Sequence, residues 1–327
     1  MLATACQLRS LTDPDEKWLN QAETAAATAL RIAPMLPEAH RARAGTLRYK
    51  GLVRESIDSY LTAYELDPSN GRAAATLGDV YNFAGRPDLA VTWFERAMRR
   101  ETRPVYADNL ADAHTDLGDY EKPERAYQTA AVFRPDLPVG VLGLSRLMLL
   151  RGDYEGARRE CEKAYAKYKG NPQPLIMLAV IEFFSRNFSA AERLYREASA
   201  ANRPGGVDFA GSVRFLSAIG FIQHTAGLEA ESKALLEEAR ALDEKELSRA
   251  PGNPRCLYSL AASCAALGDS EQANMNLDKA IAAGWIDYRS MELDPRFDSI
   301  RDLGAFQEIL NRLKQRIQTM RQRLLTR

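Results

Sequence analysis

The stretch ATLGDVYNFAGRPDLAVTWFERAMR, residues 75–99, contains the pattern that decides the fold. It places Gly85 between two helix-forming runs, which is typical of a left-handed helix end followed at once by a second helix. In the second run the small residues Ala90 and Ala97 flank the bulky Phe94, so that neighbouring helices can approach closely around the ring. The stretch therefore predicts two antiparallel helices joined by a tight turn.

The same pattern recurs along the chain at intervals of about 34 residues, with two longer intervals near the end. Examples are GDYEGARRECEKA from Gly152, RNFSAAERLYREA from Arg186 and GDSEQANMNLDKA from Gly268. Eight copies are predicted, with starts near residues 3, 37, 71, 104, 138, 172, 213 and 254. Because one helix pair cannot bury its apolar faces alone, such a series predicts a helical solenoid in which each pair packs on the next.

Residues 3–287 resemble the tetratricopeptide repeat family, whose period is 34 residues. The clearest copy carries the family's residues in order: Leu77, Gly78, Tyr81, Gly85, Ala90, Phe94 and Ala97. The resemblance implies an all-α, right-handed superhelical solenoid of about eight helix-turn-helix units plus a C-terminal capping helix. Three positions depart from the family pattern: Pro123 and Cys161 replace packing residues, and Arg186 stands where Gly is expected.

Two insertions interrupt the register. Residues 201–208, ANRPGGVD, predict a hinge or bent loop, whereas ARALDEKELSRAPGN, residues 239–253, predicts two extra turns of the preceding helix. We therefore expect repeats one to six in residues 1–200, repeats seven and eight in residues 201–287, and a basic amphipathic capping helix in residues 288–327.

The last helix carries an apolar stripe with heptad-like spacing: Phe306, Leu310, Leu313, Ile317, Met320 and Leu324. Its final turns are basic. We interpret it as a cap over the last repeat, since so short a coiled coil is marginal alone. Self-association or partner binding through this helix stays open. The segment ELDPRFDSIRDLGAFQEIL also loosely resembles the end of tetratricopeptide-repeat domains attached to bacterial Ser/Thr kinases and transcription regulators.

Composition and motifs disfavour several functions. The 44 basic and 44 acidic residues balance, so no net field favours nucleic acid. No run predicts a membrane span or a signal peptide, and a cytoplasmic location is the expectation. The four cysteines form no metal-ligand spacing, and no catalytic or phosphate-binding motif is present. We expect no cofactor, no metal and no enzyme activity.

The resemblance implies a binding groove on the concave face, lined by the first helix of each repeat. The positions that it places there are Arg41, Arg48, Tyr49, Asp79, Asn82, Phe83, Asp108, Asp112, Asp116, Arg146, Leu149, Ile176, Val180, Phe183, Phe221 and His224. Asp108, Asp112 and Asp116 are four residues apart, on one helix face, and would repel one another until a basic partner arrived. Whether Phe183 and Phe221 line the groove or belong to the core stays open.

The leading hypothesis is a non-enzymatic scaffold that binds a peptide segment or a partner protein on its concave face. The alternative is a regulatory or sensory domain of a larger bacterial signalling protein, either a Ser/Thr kinase or a transcription regulator.

Overall fold

A computed structural model describes residues 16–50, 52–101, 103–201 and 214–326, which form seventeen α-helices and contain no β-strand. The predicted all-α repeat fold is confirmed. In chain order, α1–α17 span Glu16–Ile32, Pro37–Tyr49, Val53–Leu66, Gly71–Phe83, Pro87–Arg100, Pro104–Asp116, Lys122–Phe133, Val139–Arg151, Tyr154–Lys167, Pro172–Phe184, Phe188–Ala201, Phe215–Thr225, Glu229–Arg249, Pro254–Ala266, Ser270–Ala282, Tyr288–Leu293 and Gly304–Leu325. A 3-10 turn, Pro295–Phe297, lies between α16 and α17.

The helices α2–α15 form seven consecutive pairs, each made of a first and a second helix. The first helices begin at residues 37, 71, 104, 139, 172, 215 and 254, within two residues of the predicted starts. Helix α1 stands where the second helix of the first predicted copy was expected. The start of that copy lies outside the described residues.

Left-handed residues make the turn inside most pairs, as the Gly pattern predicted. Gly85, Gly152 and Gly268 have φ values of 66°, 86° and 83°. Arg186 takes the same conformation, with φ 65°, at the position where the pattern departs from Gly. A side chain there is strained by about 1–2 kcal/mol, so a compensating contact is expected for Arg186.

Polar caps and prolines fix where several helices begin. The side chain of Asn70 accepts a hydrogen bond from the amide of Ala73, and Asp153 does the same for Gly156, at 3.1 and 2.9 Å. Such caps bind helix-end amides that have no partner within the helix. Pro123 lies in the first turn of α7, where its missing N–H costs little.

Close helix approach explains the small residues of the quoted stretch. Ala90, Phe94 and Ala97 are all buried. A Cβ added to Gly78 would lie 2.6 Å from the Phe94 ring, so α4 and α5 can pack at this distance only with Gly at that position.

The chain divides into two compact units, Met1–Ala113 and His114–Arg327, called here the N-terminal and C-terminal units. The predicted boundary near residue 200 adjoins residues 202–213, which lie outside the described residues, and it stays a prediction. The second insertion lengthens a helix as predicted, since α13 has 21 residues. None of the described helices is both long and apolar enough to cross a membrane.

Helix α17 caps the last helix pair, as expected. Its stripe residues Phe306, Leu310 and Leu313 are buried in one cluster with residues of α14 and α15. Arg316 donates a hydrogen bond to the carbonyl oxygen of Ile281 at 2.8 Å. The apolar stripe of α17 therefore packs against the last helix pair of the same chain.

Candidate partner-binding surfaces

The first-helix face of the N-terminal unit is polar and accessible. We use this name for the surface formed there by α2, α4 and the part of α6 up to Ala113. Arg41 and Arg48 on α2, and Asp79 and Asn82 on α4, are only partly buried. Phe83 adds a partly exposed ring at the end of α4. The side chain of Tyr49 lies outside the described part of the structure.

A hydrogen bond joins successive first helices on this face. The amide nitrogen Nδ2 of Asn109, on α6, donates to Oδ1 of Asp79 at 2.7 Å. Burial raises the pKa of Asp79 to about 6, and the nearby charge of Asp112 acts in the same direction. Arg48 and the bond from Asn109 oppose this rise. The carboxyl of Asp79 therefore titrates close to neutral pH, within a cluster of charged and amide groups.

The predicted row of three repelling acids on α6 is not what the structure shows. Asp108 is buried, whereas Asp112 is partly exposed. Asp116 forms an ion pair with Arg146 on α8, with Nη2 and Oδ1 at 3.1 Å. Since Arg146 neutralises Asp116, the row is not an unbroken strip of acids awaiting a basic partner.

The apolar members of the predicted groove belong to the core of the C-terminal unit. Phe183 is 0% exposed and Phe221 is 7% exposed. Their rings pack edge to face with centroids 5.9 Å apart. The others are buried in the same cluster: Leu149, Ile176 and Val180. These side chains support the fold and are not open to a partner. Only His224, at the end of α12, is exposed.

The chain's own C-terminal segment, residues 287–298, contacts the first helices of the C-terminal unit. Arg146 binds Oδ2 of Asp287 at 3.4 Å as well as Asp116. Arg289 donates from Nε to the carbonyl oxygen of Leu150 at 3.0 Å, and Leu293 packs against the cluster that contains Phe183.

Arg186 reaches the same segment. Its guanidinium pairs with both carboxylate oxygens of Asp298, one of them at 2.9 Å. This is the compensating contact for the left-handed backbone of Arg186. The substitution of Arg for Gly was the one sequence signal that could have pointed to a contact here, although it could not have named the partner.

A buried ion pair anchors the C-terminal segment. Arg296 and Asp294 are both 0% exposed, and Nη2 of Arg296 lies 2.6 Å from Oδ2 of Asp294. Arg296 also donates to Oγ of Ser217 at 3.1 Å, and the phenol of Tyr258 donates to Asp294 at 3.1 Å. A buried charge pair needs such additional hydrogen bonds to offset its desolvation. Sequence reasoning did not identify this anchor.

One group of potential metal ligands occurs among the described residues: Asp243, Glu246 and Cys256. Arg214 already occupies it, with Nη2 3.1 Å from Glu246 and a shorter contact to Asp243. Burial raises the pKa of the Cys256 thiol, which disfavours the thiolate that a metal would need. The group fits a buried ion pair better than a metal centre.

Comparison with known proteins agrees with the repeat pattern. Residues 41–103, 148–205 and 254–273 each match a family model described as a tetratricopeptide repeat. The three segments are therefore tetratricopeptide repeats; together they span less than half of the chain. Repeats of this family generally form non-catalytic scaffolds for protein–protein interaction. No curated protein matches the sequence.

Solved structures show the same fold at low sequence identity. A tetratricopeptide repeat protein from Parabacteroides merdae has a TM-score of 0.51 at 16% identity, covering 85% of this chain and 98% of its own. The APC/C hetero-tetramer Cut9–Hcn1 has a TM-score of 0.52 at 14% identity, covering 91% and 52%. The type IV pilus biogenesis factor PilW has a TM-score of 0.51 at 17% identity, covering 61% and 93%.

Proposed function

We propose that the protein is a non-catalytic scaffold that binds a peptide segment of a partner protein on the first-helix face of the N-terminal unit. One observation supports this most directly: charged and amide side chains of three successive first helices are gathered there and remain accessible. Repeat solenoids commonly bind partners across several neighbouring repeats.

The side chains of this face suit an extended segment of mixed polarity. Arg41 and Arg48 supply hydrogen-bond donors with positive charge, and Asp112 supplies an acceptor with negative charge. The amide nitrogen of Asn82 is a further hydrogen-bond donor on this face. Phe83 offers an apolar contact beside these groups.

Site-specific photo-cross-linking tests this proposal. A photoreactive residue at Asn82 should give a discrete cross-linked product in the source cell, and Asp112→Lys should remove it. The matched control places the same group at Arg99, which is exposed on the second helix α5. Equal cross-linking from both positions, or a product insensitive to Asp112→Lys, would contradict the proposal.

The regulatory role in a longer signalling protein and the cytoplasmic location stay predictions. Self-association through the apolar stripe of α17 has less support than the sequence suggested, because Phe306, Leu313 and Ile317 are buried within the C-terminal unit.

A further inference from the structure

A groove lies beside the capping helix, entirely within the C-terminal unit. It has a volume of about 860 Å³ and is bounded by the end of α8, by α16 and by the second half of α17. This volume falls in the range of ~300–1,000 Å³ that is usual for ligand sites. Its accessible apolar lining is formed by Tyr120 and Tyr288, which are partly buried, and by the exposed Leu325, while Leu117, Leu150 and Ile317 also line it but are buried. We call it the α17 groove.

The charged lining of the α17 groove is strongly asymmetric. Four cations line it, Arg151, Arg289, Lys314 and Arg321, against the single carboxylate of Glu292. Glu292 already binds both Arg289, at 2.8 Å, and Lys314. These two cations hold the pKa of Glu292 below its usual range despite burial, so the carboxylate is ionised and fully engaged.

Arg321 is the cation of this groove that is most available to a ligand. It is exposed on α17 and has no ion-pair partner among the residues that the structure describes. Arg151, by contrast, binds Glu124 outside the groove at 2.7 Å. The groove therefore carries a positive surplus next to an apolar wall, with at least one guanidinium free to bind an anion.

We infer that the α17 groove binds an acidic segment of a partner protein. Carboxylates of the segment would pair with Arg321 and with the Lys314 side of the groove, and an apolar side chain would lie against Leu325 and the rings of Tyr120 and Tyr288. The inference rests on the proposed scaffold function but concerns a different surface, formed by the cap and not by the N-terminal unit.

The lining favours a peptide over a nucleic acid. Nucleic-acid sites use long basic surfaces that neutralise many phosphates, whereas this chain has equal numbers of basic and acidic residues. An acidic peptide can place its charges apart and cover apolar surface between them, which suits a groove lined by Arg321, Lys314 and the exposed Leu325.

Peptide capture tests the inference with the full chain. The immobilised protein is offered two pools of short random peptides. One contains Asp, Glu, Leu, Phe, Ser and Gly; in the other, Lys and Arg replace the acids. We expect enrichment of acidic, apolar peptides on the wild-type chain, and a loss of at least about tenfold in affinity for them with Arg321→Glu. Higher salt should weaken the binding.

Arg323→Glu is the matched control. Arg323 is exposed two residues further along the same helix, and it does not line the groove. The change in net charge is the same, so a groove-specific effect requires that Arg323→Glu retain most of the affinity. Far-UV circular dichroism and thermal unfolding of both variants establish that they remain folded.

Several results would overturn the inference. These are equal capture of the acidic and basic pools, equal losses for Arg321→Glu and Arg323→Glu, and stronger competition from a single-stranded oligonucleotide or from anionic vesicles than from acidic peptide. Cross-linking at Asn82 reports on the N-terminal unit and is independent of Arg321. Failure of the groove inference and failure of the proposed function can therefore be told apart.

Discussion

Replacing Asp294 by Ala should strongly destabilise the C-terminal unit. The carboxylate lies 3.0 Å from Nε and 2.6 Å from Nη2 of Arg296, and it accepts from the phenol of Tyr258 at 3.1 Å. Without it, a guanidinium that is 0% exposed loses its carboxylate partner, while its hydrogen bond to the neutral Ser217 cannot balance the charge. Leaving one charge of a buried pair unpaired costs about 3–5 kcal/mol, and we expect a loss of that size.

Urea unfolding followed by tryptophan fluorescence measures this loss. Trp285 stacks on Tyr258 with ring centroids 4.0 Å apart, so its emission reports on the anchored region. The chain has three tryptophans; Trp18→Phe and Trp93→Phe give a background in which Trp285 alone emits. The double change Asp294→Ala with Arg296→Met removes both charges, and it should restore roughly half or more of the lost stability.

The control is Asp278→Ala. Asp278 also pairs with an arginine, Arg312, but the two side chains are 50% and 56% exposed. An exposed pair contributes about 0–1 kcal/mol, so this variant should unfold close to the wild type. The reasoning fails if Asp294→Ala costs no more than Asp278→Ala, or if the double variant is less stable than Asp294→Ala alone.

Three further predictions follow from local geometry. The pKa of the Asp79 carboxyl is raised to about 6 in the folded protein, from an ordinary value of 3.8. Because the unfolded chain loses this proton more readily, the free energy of unfolding should fall as pH rises from about 4 to 6. Asp79→Asn should remove this fall and add roughly 1–3 kcal/mol at pH 7 in urea unfolding. Gly140→Ala should cost about 2–3 kcal/mol, because its Cβ would lie 2.4–2.9 Å from backbone atoms. The control Gly304→Ala, with open space around the added Cβ, should be neutral or stabilising. A similar effect of both changes on thermal unfolding would contradict this prediction. Arg186→Gly should be about 1 kcal/mol more stable than Arg186→Ala, since both lose the Asp298 pair but only Gly relieves the left-handed backbone; equal unfolding midpoints would refute it.

The helix pairs could be predicted because their determinants are local. Gly85 and its equivalents specify a turn, and Ala90, Phe94 and Ala97 specify close packing within one pair. Each signal lies within a few residues of the structure that it determines. Because the period is defined by several copies, a single deviating residue such as Pro123 does not change the predicted positions of the helix pairs.

The role of the apolar first helices was harder to predict. Helix α10, PQPLIMLAVIEFF, is apolar around nearly its whole circumference, and every residue from Pro174 to Phe184 is buried. A helix of this composition is typical of a core. Ile176, Val180 and Phe183 were assigned to the groove from the family's positions one by one, without regard to the apolar composition of the whole helix.

The contacts of the C-terminal segment could not be predicted from the sequence. Arg186 and Asp298 are 112 residues apart, and Arg289 and Leu150 are 139 apart. No period or motif links such positions, because the contacts depend on how the intervening repeats stack. Charged residues such as Asp294 and Arg296 usually lie on the surface, so the sequence gives no indication that these two are buried.

These contacts bear on where a partner can bind. In the C-terminal unit, residues 287–298 already contact Arg146, Leu150 and Arg186, so a partner on the same helices would have to displace them. Displacing residues 287–298 would expose or unpair the Arg296–Asp294 anchor, at a cost of the order of 3–5 kcal/mol. This cost would lower the affinity for the partner by about two to four powers of ten. The first-helix face of the N-terminal unit and the α17 groove carry no such cost. We therefore expect partner binding to survive changes in the anchor that leave the protein folded, and to respond first to Asp112→Lys or Arg321→Glu.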